Sequence, residues 1–155
     1  MSMLDMDERI LDLAQKADVV YGPYVDVKEF PEGVDVTLVE GAVSSEEDLH
    51  KIRTIRSRTK LLVSLGDCGI TGNVPSMRNA FGTDKVLEKV YGSVAAAPAR
   101  VVPPLLPTAR PIHEVVPVDL FIPGCPPSAD TIHYVITELL HGRMPDVSNK
   151  TRFGA

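Results

Sequence analysis

The sequence predicts an α/β domain with a mainly parallel sheet, because short β-branched or apolar runs alternate with amphipathic helical stretches. Three runs carry this expectation: VDVTLV (34–39), LLVSL (61–65) and VDLFI (118–122), each bounded by glycine or proline. LLVSL is too short for a helix and apolar almost throughout, as suits a strand buried on both faces. The 155 residues suffice for one core and no more. We therefore expect a domain over 1–143 and a polar, loosely held tail over 144–155.

The elements follow in order. DMDERILDLAQK (5–16) predicts a helix with Ile10, Leu11, Leu13 and Ala14 on one stripe and Asp5 and Asp7 at its amino end. VVYGPYV (19–25) predicts a strand turning at Gly22-Pro23. Ser44-Ser45-Glu46-Glu47 predicts a capping box between Ser44 and Glu47, opening a helix through Leu49, Ile52 and Ile55. DKVLEKVY (84–91) predicts another helix. Six of the thirteen prolines then fall within 98–117, a segment expected to be extended and poor in regular structure. Its Val101, Val102, Leu105 and Leu106 give it apolar content suited to packing against a partner. Ser128 is expected to cap a helix through Ile132, Val135, Ile136, Leu139 and Leu140 that stops at Gly142.

Charge and patterning exclude several classes. A formal net charge of −5, with only scattered basic residues, disfavours nucleic acid. No stretch has the apolar length of a signal peptide or a membrane span, so a cytoplasmic protein is expected. Neither phosphate-binding glycine motif is present, which disfavours nucleotide. His50, His113, His133 and His141 show no metal-binding spacing.

Cys68 and Cys125 are the two cysteines, too few for a disulfide scaffold or a self-contained zinc ribbon. Each lies three residues beyond a predicted strand, and Glu40 directly follows a third. In an open parallel sheet ligands gather at the carboxyl ends of strands, so all three should line one edge. Two readings stand side by side: buried core thiols, or ligands and reactive groups. In the loop 66–73, Gly66, Gly69 and Gly72 free the backbone for positive φ and bring amides close to a bound group. In Pro123-Gly124-Cys125-Pro126-Pro127, three prolines hold one thiol in place, or simply form a rigid turn before a helix.

The segments MSMLDMDERILDLAQKADVV, VDVTLVEGAVSSEEDLHKI, GDCGITGNVPSMRN and HEVVPVDLFIPGCPP closely resemble the small, iron-sulfur subunit of bidirectional, NAD-reducing [NiFe]-hydrogenases. The GxC loop and PGCPP are shared more widely, including with the 20 kDa-type subunit of NADH:quinone oxidoreductase. The resemblance implies a flavodoxin-like three-layer domain carrying a [4Fe-4S] cluster near the nickel-iron site of a large subunit. Electrons from H2 would pass toward diaphorase iron-sulfur and flavin subunits and NAD. Cys68 and Cys125 match the third and fourth of four family ligands, Glu40 matches an acidic residue near the cluster, and Gly66, Gly69 and Gly124 flank the ligands. Alternatives are a quinone-oxidoreductase-type subunit and a truncated, clusterless interaction module. A partner residue, Glu40 or a second copy completing the ligand set is a further variant.

The family's first strand and C-x-G-C loop, with two cysteines, do not precede Leu4-Asp5-Met6-Asp7. In a strand order of 2-1-3-4-5 that strand is internal, so its absence is expected to leave two neighbouring strands with unpaired amides and an apolar gap. The codons upstream of Met1 are accordingly expected to encode C-x-G-C; a stop codon with no such motif refutes this.

Overall fold

The computed structural model describes residues 4–23, 25–92 and 102–154. A 3-10 turn, Leu4–Met6, leads into α1 (Arg9–Ala14); β1 (Val34–Glu40), β2 (Val43–Ser45), α2 (Glu46–Arg58) and β3 (Thr59–Leu65) follow. Next come α3 (Asp67–Thr71), α4 (Asn73–Ser76), a 3-10 turn over Met77–Ala80, α5 (Thr83–Tyr91) and β4 (Leu105–Arg110). A last 3-10 turn, Ile112–Glu114, precedes β5 (Leu120–Ile122) and α6 (Ala129–Leu140).

The central sheet is parallel, in the order β1-β3-β5. Successive side chains of a strand point to opposite faces, so β3 feeds two cores. Val63 and Leu65 join Met6, Ile122, Ile132 and Val135 beneath α6 and α1. Leu62 joins Val43, Ile52, Leu106, Ile112 and Val116 beneath α2 and the β2-β4 pair. This three-layer arrangement is flavodoxin-like and bears out the expected fold class.

Several expectations need correction. The expected gap is not seen among the described strands: β1 and β3 pair directly, from Val34 with Thr59 to Glu40 with Leu65, and β3 pairs with β5. The capping box lies one residue later, with Ser45 Oγ accepting from the Asp48 N–H and the Asp48 carboxylate accepting from Ser45 N–H at 2.9 Å. Ser44 is held in β2, so Ser45 is the residue that turns into the helix. The first helix is shorter than the apolar pattern implied, because Asp7 takes a φ of 55° and separates the 3-10 turn from α1. Of its stripe Ile10 and Leu13 face the core while Leu11 is exposed. No strand forms over 18–23; Val19 and Val20 are exposed and Tyr21 packs edge-on against Phe30 at 5.2 Å. Tyr24 lies outside the described residues.

The proline-rich segment is more regular than expected from 102 onward, while 98–101 lie outside the described residues. β4 pairs antiparallel with β2 through a register shift, and Pro107 is tolerated because the pair is an edge ribbon. Leu106 is buried in this domain's own core, while Val102 is exposed. The tail is not loose either. Val147 packs on the first core, Thr131 Oγ1 donates to Lys150 O at 2.8 Å, and the Thr151 hydroxyl donates to Pro123 O. Ser128 caps α6 as expected, accepting from Thr131 N–H at 3.2 Å. No helix among the described residues is long and apolar enough to cross a membrane.

Asp119 closes the amino end of the β3-β5 pair, accepting from Leu62 N–H at 2.7 Å and from Arg56 at 2.6 Å. The Leu62 amide, and after it the Arg56 guanidinium, hold its carboxyl below the usual carboxylate range against the opposing effect of partial burial. A depressed folded pKa gives stability that is complete above the unfolded value of about 4 and is lost as pH falls through the folded one. D119N is expected to lower stability by about 0.5–1 kcal/mol at neutral pH, because the side chain is partly exposed. Thermal melts across the acid range should also show a shallower loss of Tm below about pH 4 than in the parent.

Candidate functional site

The carboxyl ends of β1, β3 and β5 are level, since Glu40 pairs with Leu65 and Leu65 with Ile122. Beyond them the two cysteine segments stay joined. Gly66 N–H donates to Ile122 O and Asp67 N–H to Gly124 O, both at 2.8 Å, while Gly124 N–H donates to Asp67 Oδ1 at 2.7 Å. The offset of 57 residues between Asp67 and Gly124 is that of every β3-β5 pair and of Cys68 and Cys125. The sheet register therefore brings Asp67 and Gly124, the residues before the two cysteines, opposite one another. Adjacent strands lie about 4.8 Å apart, the spacing this register imposes at the strand ends.

Cys68 is half-buried and Cys125 exposed, and both are free thiols, so neither is a buried core thiol. Cys68 lies in the first turn of α3, not in an open loop. Gly66 and Gly72 take φ of 82° and 81°, as the expectation of positive φ required. Gly69 is needed for a different reason: a Cβ there would stand 2.8 Å from Ser64 Oγ and 3.1 Å from Ile112 Cδ1. That contact closes α3 down on the sheet over Ser64, whose hydroxyl is fully buried without a hydrogen-bond partner among the described residues. Gly124 has a φ of 143°, and a Cβ there would meet the Pro127 backbone at 2.6 Å.

Glu40 ends β1 exposed, three register positions short of the thiols. Among the described residues no three His, Cys, Asp or Glu side chains converge as a metal-binding group. Two residues outside the expected set do belong to the site. Asp67 is buried between the cysteine segments and also accepts from Gly154 N–H at 2.7 Å. Asn73 points its side-chain amide at Cys125 Sγ, 3.9 Å away. A broad depression of about 560 Å³ lined by Glu32, Gly33, Arg58 and Lys60 lies at the opposite, amino edge.

Fold and site together define a class: a three-layer α/β domain that presents two cysteines in register at the carboxyl edge of a parallel sheet. The family model for the NADH ubiquinone oxidoreductase 20 kDa subunit matches residues 1–139, and the chain belongs to that family. It is 40% identical to the delta subunit of the NAD-reducing hydrogenase HoxS of Cupriavidus necator, over 95% of this chain and 75% of that protein. It is 36% identical to a subunit of the F420-non-reducing hydrogenase vhu of Methanocaldococcus jannaschii, over 96% of this chain and 54% of the relative. The chain thus spans about half the length of the archaeal relatives. A chain in the crystal structure of an NAD+-reducing [NiFe]-hydrogenase in the H2-reduced state superposes with a TM-score of 0.90 at 35% identity, covering 99% of this chain and 90% of that one.

Gly124→Ala is expected to cost about 1–3 kcal/mol through backbone strain, with the displacement of Pro127 added. Gly66→Ala, whose Cβ would stand 3.5 Å from its nearest neighbour, Gly124 O, should cost less. Urea denaturation of the two variants beside the parent checks this order.

Proposed function

We propose that this chain is the electron-transfer small subunit of a cytoplasmic, NAD-reducing [NiFe]-hydrogenase and that Cys68 and Cys125 are two of its iron-sulfur ligands. The observation that carries this reading is the hydrogen-bonded pairing of Asp67 with Gly124, the residues before the two cysteines, taken with the hydrogenase relatives at 40% and 36% identity. The donor set suits an iron-sulfur cluster, which takes thiolate ligands. It covers half of a [4Fe-4S] site, which needs two further ligands beyond this pair. When bound, such a cluster supplies a one-electron relay between a large-subunit nickel-iron centre and diaphorase iron-sulfur and flavin subunits.

The chain's own residues do the holding and tuning. Cys68 and Cys125 would hold one side of the group from segments tied by the Asp67-Gly124 bonds. Asn73 donates toward the Cys125 sulfur, and hydrogen bonds to sulfur are among the levers that set a cluster's potential. Val74, Met77 and Phe81 follow Cys68 closely and are exposed, which gives this edge apolar surface to bury against a large subunit.

A second reading rests on the cysteine count: a clusterless module that docks without carrying electrons. Iron and acid-labile sulfide, measured on protein co-expressed with its large subunit and purified without oxygen, separate the two. About four of each per chain, lost in Cys68→Ser while the complex still forms, is expected. Near-zero iron in the parent complex refutes the electron-transfer reading for this chain.

A further inference from the structure

The β3-β5 ladder ends three residues before the cysteines, too early to place them by itself. Leu65 and Ile122 are its last registered pair, and Gly66 N–H continues the pattern to Ile122 O. The next rung of a parallel ladder would send the Gly124 N–H to the Gly66 carbonyl. That carbonyl is already taken, accepting from Gly69 and Ile70 N–H at 3.2 and 3.3 Å as α3 begins. Asp67 supplies the missing acceptor with its side chain, and its own N–H returns to Gly124 O. These two bonds tie Asp67 to Gly124, the residues before the cysteines, where the ladder itself has stopped. The carboxylate is 5% exposed and makes no ion pair among the described residues; both oxygens are spent on backbone amides, of Gly124 and Gly154. Burying an ion carries a desolvation cost that a structural turn need not meet, whereas charge-assisted bonds hold a geometry more firmly than neutral ones.

We infer that Asp67 is the positioning residue of the cysteine pair: through Oδ1 it replaces the lost ladder bond and keeps Cys68 and Cys125 side by side as a two-thiolate site for a soft metal. The inference deepens the proposed function and rests on its assignment of the two thiols as ligands. Asp67 acts through the backbone of Gly124 and does not touch the metal itself.

The test uses cadmium ion as the probe, added to the metal-free, reduced full chain and followed by the cadmium-thiolate absorption in the ultraviolet. Asp67→Ala should weaken binding about 10–100-fold, the usual cost of losing a group that orients metal ligands. Asp67→Asn keeps a carbonyl oxygen for Gly124 but turns an N–H donor toward Gly154. It should lower Tm while leaving cadmium affinity as in the parent. Deletion of residues 153–155 removes the Gly154 bond, leaves the Gly124 bond in place and should likewise leave affinity unchanged. A folded Asp67→Ala that binds as tightly as the parent overturns the inference. If Asp67→Ala does not fold, Asp67→Asn decides: retained affinity with lowered Tm supports positioning, and lost affinity in a folded Asn variant overturns it. Cys68→Ser separates the two levels of the argument. Parent-like cadmium binding in that variant would show that the thiols do not act as a pair, which is a failure of the proposed function and not of Asp67.

Discussion

The β3-β5 register is the constraint on which the site depends. One offset of 57 residues relates Leu62 to Asp119, Leu65 to Ile122 and Asp67 to Gly124. Only three residue pairs make up the ladder itself, so its register would be weakly fixed if backbone bonds were alone in setting it. An aspartate stands at each end instead, Asp119 accepting from the β3 side and Asp67 from the β5 side. A slip by one residue would break both and would turn Leu120 and Ile122 away from the core.

The layers on either side serve that central pair. β3 is buried along most of its length, and its alternation sends Val63 and Leu65 to one core and Leu62 and Ser64 to the other. Gly69 lets α3 approach the sheet to within contact of Ser64, which keeps Cys68 close to the strand end. The tail covers the other cysteine segment, since Thr151 and Gly154 bond to Pro123 and Asp67. The surface around the thiols is therefore built from parts of the chain far apart in sequence.

Much of this was legible in the residues. Strand runs bounded by glycine and proline predicted β1, β3 and β5, and the matched distance from LLVSL to Cys68 and from VDLFI to Cys125 predicted a shared edge. Periodicity placed α2, α5 and α6. What was not legible depended on partners distant in sequence. The apolar residues of VVYGPYV find no neighbouring strand, whereas the proline-rich LLPTAR does, in β2. Ser45 displaced Ser44 as cap because pairing with β4 fixed where β2 ends. Asp67 carried no signal of its own, since a carboxylate before a cysteine reads as a solvated loop residue until a second segment is seen to need an acceptor. The assumed strand order implied a gap inside the sheet, and the direct pairing of β1 with β3 and of β3 with β5 corrects it.

The long sequence separations at the site have a kinetic side. Asp67 must close a loop of 57 residues to meet Gly124 and one of 87 to meet Gly154, whereas the helices and their caps form from neighbours. Closing such loops costs entropy before any contact repays it, so contacts of this kind form late in folding. Until those loops close, nothing holds the Cys68 segment and the Cys125 segment relative to one another.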